Sequence, residues 1–308
     1  GDCENEYFIS YSVTITDECG NATSYGQSIT VVDETGPEIT LNAPANVTVE
    51  CGASTAPADI GQATATDNCS SVDSITVTFA DEFEQACGAT GVITRTWMAE
   101  DECGNVTTAV QVITIEDTTP PALSIPNNVT VECGDPTDPA ATGQPTAMDV
   151  CSEVEITFSD SFEAACGNTG AITRTWIATD DCGNSASAAQ QIVIEDTTPP
   201  TVGVNIPGMV NAECDDVPAA PVLTADDVSD NCSNADDLTI EFNETNSPGS
   251  CPSEYTLTRM WTVTDECDNA TTLMQVASVS GSTAPVARCQ DVTIDLDAYG
   301  NAVANRIM

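Results

Sequence analysis

The side chains able to do chemistry in this 308-residue sequence are 15 cysteines and 49 carboxylates. Thiols at recurring spacing form disulfides or hold soft metals, while carboxylates hold hard cations or work in pairs as hydrolytic acids and bases. There is no histidine, and all five basic residues are arginine. The usual general base is therefore missing, and no Cys-x-x-Cys is present to suggest zinc. Carboxylate pairs would serve a glycosidase, but these acids recur alike in every copy of a repeat, where an active site is expected once. The expectation is a chain that is not an enzyme. So many cysteines at fixed spacing imply oxidation, hence an extracellular or cell-surface location. A net charge of −44 excludes nucleic acid, whose phosphates need Lys and Arg, and disfavours an anionic membrane. No run of 18 apolar residues is present, so no membrane insertion is expected in this segment. Self-repulsion of this size makes bound cations a natural remedy.

The elements that must position these groups repeat. NVTVECG occurs at 46–52 and 128–134, with MVNAECD at 209–215 as a third copy. ITRTW occurs at 93–97 and 172–176, with LTRMW at 257–261. EDTTPP occurs at 116–121 and 195–200, with the weaker DETGP at 33–37. Cys51, Cys133 and Cys214 mark a period of about 80 residues. Short alternating strands such as Val47–Val49–Cys51 and Ile75–Val77–Phe79, separated by Gly, Pro, Asn and Asp, indicate β-sandwiches. The expected fold is all-β: a tandem array of seven-stranded immunoglobulin-like β-sandwiches, disulfide-stapled. The expected divisions are 1–34, the C-terminal part of one repeat; 35–117, 118–197 and 198–281, complete repeats; and 282–308, the start of a divergent repeat. Proline at each linker cannot continue a ladder and marks the boundary.

Strand directions then predict the bridges. Strand A descends from the N-terminal end, B rises to Cys51 and C descends to Cys69. D rises through 75–79, a short E descends to Cys87, and F rises through 93–97, leaving Cys103 at the top. A seven-residue strand spans roughly 23 Å and a disulfide tolerates a Cα separation of only about 7 Å. The expected bridges are Cys51–Cys103 and Cys69–Cys87, with Cys133–Cys182, Cys151–Cys166, Cys214–Cys267 and Cys232–Cys251 in the next copies. Adjacent pairing, as in Cys87–Cys103, is the competing scheme.

The same topology brings the F–G turn of each copy to the linker that enters it. Asp33 and Glu34 are expected near Asp101, Glu102 and Asn105. Glu116 and Asp117 are expected near Asp180, Asp181 and Asn184, and Glu195 and Asp196 near Asp265, Glu266 and Asp268. Six to eight oxygens of this kind suit Ca2+ better than the stricter octahedron of magnesium. Gly281 stands where the next linker Asp belongs, so the junction after the third copy is expected to bind weakly or not at all. The competing reading of these acids is turn chemistry, with Gly-Asn or Asp-Asn accepting left-handed backbone. Trp97, Trp176 and Trp261 are expected in the core, and Arg95, Arg174 and Arg259 as structural arginines with stems on its edge.

DTTPP, NVTVECG, ATDNC at 65–69, ITRTW and DECGN at 101–105 resemble the hyalin-repeat-like (HYR-like) immunoglobulin modules of giant Bacteroidota surface adhesins. The resemblance covers essentially the whole chain. It implies a long surface filament, as in gliding-motility adhesins exported by the type IX secretion system, touching substratum or polysaccharide. The expected function is an extracellular structural or adhesive stalk whose partners are its neighbouring repeats. The alternative is a carbohydrate-binding module array or the non-catalytic appendage of a secreted enzyme. An aromatic content of 5% argues against an aromatic-lined groove in every unit.

Overall fold

The computed structural model describes residues 6–41, 46–250, 253–281 and 299. The chain opens on a hairpin, β1 (Tyr7–Thr16) and β2 (Ala22–Val31). Three six-stranded copies follow. The first holds β3 (Glu38–Leu41), β4 (Asn46–Glu50), β5 (Ala63–Thr66), β6 (Thr76–Gln85), β7 (Gly91–Glu100) and β8 (Val106–Glu116). The second holds β9 (Ala122–Ser124), β10 (Val129–Glu132), β11 (Thr146–Met148), β12 (Val154–Ala164), β13 (Gly170–Asp180) and β14 (Ser185–Glu195). The third holds β15 (Thr201–Val202), β16 (Met209–Glu213), β17 (Val228–Ser229), β18 (Thr239–Pro248), β19 (Tyr255–Thr264) and β20 (Ala270–Ser280). Each copy has a two-stranded sheet, β3–β5 in the first, and a four-stranded sheet in the order β4-β8-β7-β6 or its equivalent. This is the expected all-β immunoglobulin-like sandwich, with six strands rather than seven. The segment read as strands D and E is one continuous strand, β6, because no residue between 76 and 85 forces a turn.

The chain divides into two compact units. One comprises Gly1–Val131, Asp135–Glu163 and Ala171–Ile194; the other comprises Glu132–Gly134, Ala164–Gly170 and Glu195–Met308.

The core of each sandwich lies under the tryptophan of its central strand, as expected. Trp97, Trp176 and Trp261 are 2%, 3% and 1% exposed, while the arginine two residues earlier is equally buried. Trp97 stacks against Phe79 with ring centroids 5.1 Å apart, and the other copies repeat the contact. The Arg95 guanidinium lies 4.5 Å from the Phe79 ring centre and grips Asp81 through two nitrogens at 2.8 Å. Its Nη2 also donates to the Thr55 carbonyl, tying the loop after β4 to the sheet. Arg174 grips Asp160 in the same two-nitrogen way, while Arg259 reaches Glu244 through Nε alone at 2.7 Å and gives its other nitrogens to Gln275 and the Pro218 carbonyl. Breaking such a pair leaves an acid facing apolar rings. Arg174→Ala is expected to cost about 3 kcal/mol, the low end of the buried-pair range because Asp160 keeps contact with water. A denaturant midpoint that does not move would show the arginine to be dispensable.

Strand direction is where the structure departs from expectation. β4 runs parallel to β8, with Asn46 opposite Val112 and Glu50 opposite Glu116. β16 and β20 repeat this, Glu213 facing Ser280. The NVTVECG strand therefore does not turn back after β3. It continues downward in the other sheet, and the ascending strand is β5, antiparallel to β3. Pro126 and Pro207 stand between the two halves of this first strand in the second and third copies. A proline removes a ladder donor, so it interrupts a strand without reversing it.

The consequence for the cysteines is direct. Cys51, whose N–H donates to the Glu116 carbonyl at 2.7 Å, lies with Cys87 at the C-terminal end of its copy. Cys69 and Cys103 follow ascending strands and lie at the N-terminal end. Strand β7 alone spans about 33 Å between those ends, so Cys51–Cys103 and Cys69–Cys87 cannot form within one copy. The bonds formed instead join successive copies: Cys51–Cys151, Cys87–Cys182, Cys133–Cys232 and Cys166–Cys267, with Cα separations of 5.3–5.8 Å. Cys103 is bonded as well. The expected Cys133–Cys182, Cys151–Cys166, Cys214–Cys267 and Cys232–Cys251 fail for the same reason, since at least one cysteine of each is bonded across copies. Cys251, Cys289 and, apart from Tyr299, the divergent copy over 282–308 lie outside the described residues.

Candidate metal centre

At the N-terminal end of each copy the linker arrives beside two turns. The first is the F–G turn. Asp101 Oδ1 accepts the N–H groups of Cys103 (2.9 Å) and Asn105 (2.8 Å), and its Oδ2 accepts Asn105 Nδ2 at 3.0 Å. Asn105 Nδ2 also donates to the Asp33 carbonyl at 3.2 Å, which clamps the linker to the turn. Asn184 does this to Asp117 and Asn269 to Asp196, both at 3.0 Å. Burial opposes ionisation of Asp101 and Asp180, but the donors of Asn105 and Asn184 outweigh it and hold both carboxyls below the usual aspartate range. The turn reading of these acids is therefore correct as far as it goes. Gly104 and Gly183 sit at φ +85° and +90°, and Asp268 takes their place at φ +69°. Asp268 is thus the left-handed turn residue of the third copy, exposed to solvent, and Asn269 has the part played by Asn105 and Asn184.

The second turn was not singled out as a ligand source from the sequence. Asp67, Asp149 and Asp230 each stand two residues before the second cysteine. Asp67 Oδ1 accepts the N–H groups of Cys69 and Ser70 at 2.7 and 2.8 Å, and Asp149 and Asp230 form the same loop. Its signal was in plain view as Asp-x-Cys at 67–69, 149–151 and 230–232.

These turns bring acids together. Ligand atoms of Asp33, Asp67 and Cys69, of Asp117, Asp149 and Cys151, and of Asp196, Asp230 and Asp265 lie within 4.8 Å of one another. One carboxylate oxygen of each linker aspartate, Oδ2 of Asp33, Asp117 and Asp196, is buried without a hydrogen-bond partner, as is Oδ2 of Asp230. Asp33 is itself only 7% exposed. A buried, unpaired carboxylate oxygen is costly unless something positive meets it. Burial pushes the Asp117 carboxyl up against the opposing Thr119 N–H, and the charges of Asp149, Asp180 and Glu50 push it further. Asp196 is raised likewise, by burial and then by Asp230, Asp265 and Glu132.

The remaining expected ligands are placed differently. Glu34, Glu102, Glu116, Asp181, Glu195 and Glu266 are exposed and stand outside these clusters; Asp101 and Asp180, engaged by their own turns, also lie outside the first two, whereas Asp265 belongs to the third. Glu50 and Glu132, at the ends of β4 and β10, instead clasp the outgoing linker. Glu50 accepts Thr118 N–H at 2.8 Å and the hydroxyls of Thr118 and Thr119 at 3.0 and 2.9 Å. Glu132 does this to Thr197 and Thr198. The Thr118 and Thr197 N–H groups, foremost, hold both glutamates below their ordinary value.

The donor set selects the ion. Cys151 is bonded to Cys51 and offers no thiolate, and the third cluster is carboxylate alone. What the three sites share is paired aspartate oxygen, the ligand of hard cations. Fold and site together define a class: tandem immunoglobulin-like repeats, cross-linked from copy to copy, with a carboxylate cluster where each copy begins. Over 173 residues, 53% of the chain, the sequence is 33% identical to Hyalin of Strongylocentrotus purpuratus, of which it spans 14%. It is also 33% identical over 175 residues to Hyalin of Lytechinus variegatus, spanning 32% of that protein and 54% of this chain. No family model matches. Among solved structures, similarity extends to a protocadherin gammaB7 EC3-6 cis-dimer at TM-score 0.35 and 12% identity, over 88% of this chain and 84% of that one. It also extends to Drosophila N-cadherin EC1-4 at TM-score 0.27 and 13% identity, over 91% and 85%. Among the described residues no helix is long and apolar enough to cross a membrane.

Proposed function

We propose that this chain is part of an extracellular structural and adhesive array of immunoglobulin-like repeats that binds calcium where one repeat meets the next. The folding repeats are 35–117, 118–197 and 198–281. The ligands are Asp33 with Asp67 and Asp101, Asp117 with Asp149 and Asp180, and Asp196 with Asp230 and Asp265. The observation that carries this reading is the buried, unpartnered Oδ2 of the linker aspartate, present in all three copies. A cation there would neutralise a cluster that is otherwise repulsive and fasten linker to turn. Likeness to Hyalin over half the chain supports repeats of the hyalin type, and disulfides joining copies suit an oxidising exterior. The proposed partners are the neighbouring repeats and a surface polysaccharide or substratum, with no catalytic role. Assignment to Bacteroidota gliding adhesins exported by the type IX system rests on motif resemblance alone.

Calcium titration followed by calorimetry tests the reading. Binding at the three clusters should be saturable, should persist in excess magnesium and should raise the melting temperature. Melting curves that coincide with and without millimolar calcium would remove the cation from the proposal.

A further inference from the structure

Cys19 and Cys214 are exposed and carry no bridge. Each occupies a position whose counterparts are bonded across copies. Cys214 follows β16, whose parallel register beside β20 repeats that of β4 beside β8, and Glu213 stands where Glu50 stands. Its counterparts Cys51 and Cys133 bond to the cysteine of an Asp-x-Cys turn 100 and 99 residues further on. Cys19 closes an F–G turn of the same build as the other three, with Asp17 Oδ1 accepting the N–H groups of Cys19 at 3.0 Å and Asn21 at 2.8 Å. Its counterparts Cys182 and Cys267 bond to Cys87 and Cys166 of the copy before, and Cys103 is bonded too.

We infer that Cys19 and Cys214 are covalent docking points for adjoining copies of this repeat in the same polypeptide, Cys214 for a following copy and Cys19 for a preceding one. The two ends of a copy differ. The C-terminal end carries the first and third cysteines, and the N-terminal end carries the second and fourth. Such a junction is heterologous: it joins unlike ends, has a direction and does not close on itself.

The surroundings of the formed bonds say what the partner must bring. At Cys51 the next copy supplies a Thr-Thr linker to Glu50 and an Asp-x-Cys turn. Close by, Ala89 N–H donates to the Cys151 carbonyl at 2.7 Å, and Gly88, at φ +53°, leaves no room for a side chain against Cys151 and Ser152. At Cys133 the arrangement recurs. Asn231 Nδ2 donates to the Cys133 carbonyl, and Asn168 donates to that of Cys232. A free thiol elsewhere on the molecule would find neither the turn nor the clasp. Bond formation is an exchange reaction. The two thiols lose two electrons and two protons to the disulfide of an external thiol oxidoreductase, which departs as a dithiol.

The test is maleimide labelling of unreduced protein, followed by acid-specific proteolysis and mass mapping. It is done on the 308-residue chain alone and on the protein from its natural source. In the chain alone both thiols should label. In the natural protein labelling should fall at least tenfold. Cys214 should then be recovered bonded to the second cysteine of a following copy, and Cys19 to the third cysteine of a preceding copy. Equal labelling in both samples would overturn the inference. So would a bond from either residue to a cysteine of its own copy, or a doubling of mass that reductant abolishes.

Discussion

Cys51→Ser together with Cys151→Ser should lower the melting transition of the first two joined repeats by roughly 5–15 °C. The bond closes a separation of 100 residues. In the chain-entropy model a loop of that size is worth about 4.7 kcal/mol, while measured disulfides cluster near 2–4 kcal/mol. Because Cys87–Cys182 still joins the same two copies, the lower range applies. A kilocalorie moves the transition of a pair of repeats by about 2–4 °C. Substituting Cys87 and Cys182 as well should lower it further and separate the melting of the two copies, since the covalent restraint on their linker is then gone. Non-reducing peptide maps of the unaltered chain should contain Cys51–Cys151 and Cys133–Cys232 peptides. A Cys51–Cys103 peptide would mean that β4 does not run parallel to β8, and the account of the fold would fail with it.

Asp117→Asn should reverse sign with calcium. Without the ion, Asp117 is a half-buried carboxylate with a buried, unpaired Oδ2, raised by burial and by the charges of Asp149, Asp180 and Glu50. A group of this kind contributes stability at low pH, where it is protonated. That contribution is lost as pH rises from the ordinary 3.8 through the raised folded value. At neutral pH the calcium-free variant should therefore melt at or slightly above the unaltered protein. With calcium at a hundredfold excess over its dissociation constant, a site stabilises by about 2.7 kcal/mol, and the variant should lose most of this. The order of the two melting curves should thus invert on adding calcium. The calcium-induced gain should also fade as pH drops through the raised values of Asp117 and Asp196, since protons compete for the same oxygens. A variant that melts lower under both conditions by the same amount would assign Asp117 a purely structural part, and the cation reading of that cluster would fall.

Much of this molecule was legible without coordinates. Alternation at Val47–Val49 and Ile75–Val77 marks strands, because a pleated chain buries every second side chain. Trp97 and Arg95 share a face two residues apart, which placed the tryptophan in the core; the arginine, expected at the core's edge, is as buried as the ring. The DECGN turn and the linker aspartate had to meet, since both belong to the N-terminal end of a copy, and Asn105 on the Asp33 carbonyl is that meeting. What could not be read was direction. A period of two looks the same whether a strand ascends or descends, and a proline between two short strands marks a break without saying whether the chain turns or crosses to the other sheet. In these copies it crosses, so β4 descends beside β8. That one reversal exchanged the ends at which Cys51 and Cys69 lie and turned expected internal staples into bonds between copies. Asp67 became a candidate ligand for the same reason: the Asp-x-Cys spacing marks its turn, but only the ascent of β5, a matter of non-local pairing, delivers that turn to the incoming linker.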